Sequence, residues 1–312
     1  MKKIIFILFS TVFIPAMGQN AKRYSFSQTS GTYTPITGGT VLGTEANDDE
    51  VFNNNTTGSA APITNTGFPI GFNFAFKGVY LDKFAVSTNG FIKLGTGSFS
   101  MPDPGISYEG AVLQMPGADF NSILSPFNTY LVAKTGSTIK YLTTGTELNR
   151  KLIVQWSGYT INGYPSDNIN FQVVLYETSN KIEFIYGDFN IGSTIALNVD
   201  VGFIATSYAD FQGRVTSTDW SSTAVMINSW DVCTISSTVF PAKGLTFSWS
   251  PPALPLIKTL SPAINAFGVA ANSNLVLTFN EAIQKGTGKI NIYENDVYKQ
   301  SFNVDSSVVT IS

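Results

Sequence analysis

Between residues 70 and 77, bulky apolar side chains alternate with small or polar ones: Ile70, Phe72, Phe74 and Phe76 stand against Gly71, Asn73, Ala75 and Lys77. A period of two belongs to a strand with one buried face, because successive Cβ atoms leave a pleated backbone on opposite sides. After residue 19 no segment carries the i, i+3, i+4 spacing of an amphipathic helix, so the core has to be built from sheets. Asn89-Gly90, set between the apolar runs 84–88 and 91–94, predicts a tight hairpin with positive φ angles at the turn. The same patterning predicts strands over 138–142, 151–156, 170–176, 181–186, 198–204 and 245–249, with Thr178-Ser179-Asn180 turning one hairpin. Prolines and glycines make 98–116 a long loop, and 211–229 has no clear period. Many short strands separated by turns imply an all-β protein, an antiparallel β-sandwich of jelly-roll-like kind.

The N-terminus reads as an export signal. Lys2 and Lys3 precede an apolar run over 4–14, and Pro15-Ala16-Met17-Gly18 supplies a helix breaker and small residues, so cleavage is expected after Gly18. The run is shorter than the roughly 20 residues that cross a bilayer. Cys233 is the only cysteine and lies far from that site, which argues against a lipid anchor and against any intrachain disulfide. Stability then rests on packing. The organisation expected is a signal peptide over 1–18, a β-sandwich module over 19–250, a Pro-rich linker over 251–256 and a second β unit over 257–312. Strands are predicted in that unit at 275–279, 289–293 and 308–311, with Gly286-Thr287-Gly288 as a turn. It spans about half of the roughly 100 residues an Ig-like sandwich needs, so a partial Ig-like domain within a longer protein is expected.

Composition removes several function classes. The net charge is −3 and only 12% of residues are charged, about half the usual share of roughly 25%, with no basic patch for nucleic acid. Histidine is absent, which leaves no His-based nucleophile activation and no His/Cys zinc site, and no phosphate-cradling glycine loop is present. Carboxylates and aromatics remain. Asp48, Asp49 and Glu50 form the densest oxygen cluster and suit a hard cation such as calcium, with a solvated acidic loop as the alternative. Glu177, Glu183 and Asp188 lie near one predicted hairpin and could supply the paired carboxylates of a glycosidase, although alternation with Ile182 and Phe184 puts Glu183 on a solvent face. Trp220, Trp230, Tyr159 and Tyr164 are the candidate ligand-binding aromatics, whereas Trp156 and Trp249 fall in strand patterns and read as core.

The stretch from Ile70-Gly71-Phe72-Asn73-Phe74 to Ser87-Thr88-Asn89-Gly90-Phe91 resembles the N-terminal β module of large exported Bacteroidetes proteins, which is itself similar to nidogen-like extracellular domains. The likeness runs on through Ser125-Pro126-Phe127, Leu152-Ile153-Val154-Gln155-Trp156, Phe171-Gln172-Val173-Val174-Leu175-Tyr176 and Glu183-Phe184-Ile185-Tyr186-Gly187. Related modules often carry an aromatic and acidic residues where this chain has Asn128-Thr129, which puts an acid-dependent role of that loop in question. Further on, Leu260-Ser261-Pro262-Ala263, Leu275-Val276-Leu277-Thr278-Phe279 and Gly286-Thr287-Gly288-Lys289-Ile290 look like a bacterial Ig-like domain of the SbsA type. The resemblance implies a secreted or cell-surface protein for adhesion or for binding an extracellular glycan or protein. It implies type IX secretion in the parent, while the residues themselves point to no cofactor, calcium aside. The alternative is an accessory targeting or docking region of a larger exported hydrolase, with any catalytic domain beyond residue 312.

Overall fold

The computed structural model describes residues 20–55, 57–102, 111–228, 230–252, 257–263, 266, 269–270, 273–279, 283, 285, 288–294 and 297–311. The expected signal peptide, the cleavage point at Gly18, most of the linker and the turn at 286–287 lie outside the described residues. The chain divides into two compact units, of which Asn20–Pro251 is the larger.

In the larger unit the strands are β1 (Ser25–Ser30), β2 (Thr40–Thr44), β3 (Val51–Phe52), β4 (Ile63–Asn65), β5 (Phe68–Phe76), β6 (Val79–Ser87), β7 (Phe91–Gly95) and β8 (Phe99–Met101). They continue as β9 (Ile123–Asn128), β10 (Leu131–Val132), β11 (Thr138–Thr144), β12 (Lys151–Ile161), β13 (Tyr164–Tyr176) and β14 (Ile182–Tyr186). The last are β15 (Leu197–Ile204), β16 (Phe211–Val215), β17 (Ala224–Val225), β18 (Cys233–Ile235) and β19 (Leu245–Ser250). An eight-stranded sheet runs β1-β19-β14-β13-β12-β11-β2, with β10 beside β12. A nine-stranded sheet runs β17-β16-β15-β9-β7-β6-β3, with β18 beside β15 and β5 beside β6. All pairs in both sheets are antiparallel.

The alternation that most constrained the sequence is obeyed residue by residue. Ile70, Phe72, Phe74 and Phe76 are buried on β5, and Gly71 and Asn73 are exposed. Aromatic pairs then tie the two sheets face to face: Phe84 on β6 meets Tyr141 on β11 at 5.1 Å, Phe127 on β9 meets Phe171 on β13 at 5.5 Å, and Phe203 on β15 meets Trp249 on β19 at 5.9 Å between ring centroids. Such edge and tilted contacts add roughly 0.5–1.5 kcal/mol each beyond simple burial. Polar anchors cross the same interface, with Trp156 Nε1 donating to Ser87 O at 3.0 Å and the Tyr186 hydroxyl donating to Pro126 O at 3.0 Å. The fold is an all-β antiparallel sandwich, as its periodicity predicts.

A third layer covers the far side of the nine-stranded sheet. Ala85, Phe91, Ile123 and Ile204 point away from the main core and are buried under Met101, Val112 and Leu113, with Phe99 and Phe120 packed against them. Within the segment 98–116, expected as a long loop, the described residues form β8 and a short 3-10 turn at Val112–Gln114 that closes over this face, and 103–110 lie outside the described residues. Asn128 fixes that turn: its Oδ1 accepts from the amides of Ala111 (3.2 Å) and Val112 (3.1 Å), and its Nδ2 donates to Asn89 O at 2.8 Å. An aspartate at 128 could accept the two amides but not donate to the carbonyl, so the amide is the side chain this position needs.

The β6–β7 hairpin differs in detail from its sequence reading. Within that turn only Gly90 has positive φ (+81°), and Ser87 pairs with Phe91, so the turn uses three residues with glycine at the left-handed position. The two-residue turn with both φ angles positive is instead Lys77-Gly78, between β5 and β6. The smaller unit contributes two hairpins, β20 (Ile257–Ser261) with β21 (Val276–Phe279) and β22 (Lys289–Glu294) with β23 (Val297–Asn303). The strand expected over 308–311 is turn and irregular chain, and β23 takes its place as the partner of β22.

Candidate functional site

At one end of the nine-stranded sheet the chain turns apolar residues outward. β17 is the terminal strand there, and both of its residues are exposed. In the run Val225-Met226-Ile227, alternation sends the middle residue inward: Met226 is buried, its amide donates to Gly213 O at 2.9 Å, and Ile227 stands 84% exposed. The lack of a side chain at Gly213 makes this possible, because a Cβ there would lie 2.9 Å from the Met226 thioether. Beyond Ile227 a hydrogen-bonded turn closes. Asp231 accepts from the amides of Ile227 (3.1 Å) and Asn228 (3.0 Å), while Asn228 Oδ1 accepts from the Trp230 amide at 3.0 Å. Carboxylate and amide side chains thus satisfy the loop backbone and leave Trp230 projecting, 69% exposed. Arg214 fastens the near side by donating from Nε to Thr223 Oγ1 at 2.9 Å and stacking 3.9 Å over the Phe26 ring. A cleft of about 240 Å³ opens beside this ledge, lined by Lys22, Phe211, Gln212, Val225, Met226 and Ile227.

Two of the aromatic candidates from the sequence are not available to a ligand. Trp220 is 2% exposed and sits inside the sandwich, its Nε1 donating to Thr234 O at 2.9 Å and its ring stacked 6.3 Å from Phe247. It anchors the loop that displays Trp230 and does not belong to the displayed surface. Tyr159 is wholly buried, and its hydroxyl has no hydrogen-bond partner. Burial holds that phenol well above the usual range, with the charges of Asp48 and Glu50 adding to the shift. Tyr164 is half-buried at the start of β13. Of the four aromatics, Trp230 alone belongs to the exposed ledge, and the structure does not bring the four together.

The acidic loop is wired into the protein. Asn89 Nδ2 donates to Asp49 Oδ1 at 2.9 Å, Asn47 Nδ2 donates to Glu50 Oε2 at 2.7 Å, and the Glu50 amide donates to Thr88 Oγ1 at 2.9 Å. Desolvation, followed by the charge of Asp49, raises the Asp48 carboxyl above the usual carboxylate range. Among the described residues no group of three or more His, Cys, Asp or Glu side chains is placed to hold a metal ion.

The carboxylates weighed for glycoside chemistry are each committed elsewhere. Glu177 takes a two-pronged contact from Arg150 and the Arg150 amide at 3.0 Å, and the Arg150 hydrogen bond pulls its carboxyl down to about 2. Asp188 pairs with Lys243 at 2.8 Å. Glu183 is buried, not solvent-facing. Tyr176 donates to it at 2.6 Å, Ser248 at 3.0 Å, and Lys181 pairs with it at 2.6 Å. Burial works to raise the Glu183 carboxyl, and the Lys181 and Tyr176 hydrogen bonds outweigh it, leaving it below the usual range. A general acid needs a raised value and an open approach. Glu177 and Glu183 are held below the usual range, and Asp188 is engaged by Lys243.

The site is thus an exposed apolar ledge on an antiparallel β-sandwich. A family model described as NIDO related, that is nidogen-related, matches residues 23–251, and the chain belongs to that family. Membership goes with an extracellular β module. No curated protein and no solved structure matches the chain. Among the described residues no helix is long and apolar enough to cross a membrane.

The sequence reading missed Ile227 and the cleft. The signal was present in Val225-Met226-Ile227, where alternation must expose two of three apolar residues, followed by an Asn-x-x-Asp turn over 228–231.

Proposed function

We propose that this chain is the non-catalytic binding part of a secreted or cell-surface protein, and that it meets its ligand on the ledge formed by Ile227 and Trp230. The observation that carries this reading is the closed turn from Asn228 to Asp231, which holds two large apolar side chains in water on hydrogen-bonded backbone. Preorganised exposed aromatics of this kind lose little entropy on binding and make good anchors. Four of the six cleft residues are apolar, which favours the apolar side chain of a protein partner, and a sugar ring stacked on Trp230 is the other ligand chemistry the ledge suits. The wider reading, resting on resemblance, is a Bacteroidetes-type exported protein whose second unit begins an Ig-like spacer of the SbsA type, with adhesion as its role and export through a signal cleaved near Gly18.

The test is a glycan array and a panel of extracellular proteins probed with the purified full chain and with Ile227→Ser/Trp230→Ala. Loss of binding in the double variant at an unchanged melting temperature supports the ledge. Binding that survives both changes, or its absence from both panels, counts against it. Release of reducing sugar or of peptide fragments by the chain itself would overturn the non-catalytic half.

A further inference from the structure

The chain contains two Asn-Gly steps, Asn89-Gly90 and Asn162-Gly163, and the fold treats them in opposite ways. Asn89 is buried, its Oδ1 accepts from the Leu131 amide at 3.0 Å, and its Nδ2 is held by Asp49. The Gly90 amide donates to Ser87 O at 3.3 Å, and Gly90 is pressed so closely on Phe127 that an added Cβ would lie 2.1 Å from its carbonyl oxygen. Asn162 and Gly163 form the exposed tip of the β12–β13 hairpin, where Ile161 pairs with Tyr164. Among the described residues the Asn162 side chain has no hydrogen-bond partner, its backbone amide alone being tied, to Tyr130 O at 3.0 Å, and open space surrounds the Gly163 Cα.

We propose that Asn162 is a self-modification site that converts to aspartate and isoaspartate in the folded protein, while Asn89 is protected by the same fold. The backbone nitrogen of Gly163 gives up its proton and forms a bond to Asn162 Cγ. The Cγ–Nδ2 bond breaks and the side-chain nitrogen leaves as ammonia, giving a five-membered succinimide. Water then opens either ring carbonyl, producing aspartate or, by the other route, isoaspartate. Ring closure is intramolecular, so its rate is set by how freely the amide nitrogen reaches the side-chain carbon. At Asn162 both partners are unrestrained and no Cβ on Gly163 obstructs the approach. At Asn89 both are hydrogen-bonded, and the reaction has to wait for local opening. The product places a new carboxylate next in the chain to Ile161, whose amide is already directed at Asp167 Oδ2 at 3.4 Å. Isoaspartate also lengthens the main chain by a carbon at a turn whose register depends on its length.

The experiment ages the full chain in mildly alkaline buffer, folded and in denaturant, and maps both sites by peptide mass spectrometry with isoaspartyl methyltransferase labelling. In the folded chain, conversion is expected at least about ten-fold faster at Asn162 than at Asn89. In denaturant the two rates should converge. Asn162→Gln serves as the control and should abolish the isoaspartyl signal of the folded chain. Equal folded rates at both sites, or no conversion at Asn162 while the unfolded chain converts, would overturn the proposal.

Discussion

Asp200 and Leu113 meet on the outer face of the nine-stranded sheet, where the wholly buried carboxyl accepts the Leu113 amide on Oδ2 at 3.0 Å. Gln114 Nε2 approaches the other oxygen at 3.4 Å, and the Ser125 hydroxyl donates to the Asp200 carbonyl at 2.9 Å. Burial pushes this carboxyl well above its ordinary value, and the two hydrogen bonds offset only part of that. With its folded value raised above the unfolded value of about 3.9, the stabilisation from Asp200 is fully present below that value and is lost as pH rises through the folded one. Asp200→Asn keeps an acceptor for Leu113 and removes the titration. Urea midpoints taken across pH should therefore show the natural chain losing stability relative to the variant as pH rises, and parallel curves would rule the linkage out. Asp200→Ala leaves the Leu113 amide unpaired and should cost about 1–3 kcal/mol.

The tryptophans that the sequence could not separate should separate cleanly by stability. Trp220→Ala empties a site among Phe127, Tyr186 and Phe247 and should cost about 3–5 kcal/mol. Trp230→Ala removes an exposed ring and should stay within about 0.5 kcal/mol. Chemical denaturation of the two variants checks this, and a large loss from Trp230→Ala would mean that the ring is part of the packing.

Glu177 and Arg150 behave as an acid-sensitive clasp. The depressed carboxyl contributes stability above the unfolded glutamate value of about 4.3, and that contribution is lost as pH falls through about 2. Glu177→Gln should lower the melting temperature at neutral pH, and the difference should close as the pH approaches 2. Arg150 also donates to Gly71 O at 2.7 Å, so Arg150→Lys should lose more than the carboxylate contact. A difference that persists unchanged at acid pH would show that the Glu177→Gln change disturbs the turn by shape and not by charge.

What the sequence disclosed and what it withheld follow from the range of the interactions. The strands around Phe72, Phe171 and Phe247 were legible because a two-residue period is local and survives any topology. The fate of Trp220 was not, because its burial depends on Thr234 and Phe247, distant in the chain. Glu183 shows the same limit. Alternation placed it on the face opposite Ile182 and Phe184, yet Tyr176 and Ser248 cover it there, and such cross-strand neighbours are fixed only by register. The segment 98–116 read as a long loop because its few apolar residues have no period, yet Met101, Val112 and Leu113 bury as a cap over the second face of a sheet.

Cys233 offers a direct readout of how tightly that architecture is closed. Its thiol is buried on β18 and donates to Arg214 O at 3.3 Å. Burial pushes it up to about 12, against a smaller lowering from the Thr216 backbone hydrogen bond, with the Asp200 charge adding to the rise. Since the thiolate is the reactive form, the native thiol lacks both access and ionisation. The folded chain should therefore resist a disulfide-exchange reagent at neutral pH, and added urea should release labelling in step with the loss of tertiary signal. Labelling that runs ahead of unfolding would place β18 in a locally opening segment. Prompt labelling of the native chain would mean that the loop from Thr216 to Cys233, which Trp220 pins at one end and which displays Trp230, is open in solution.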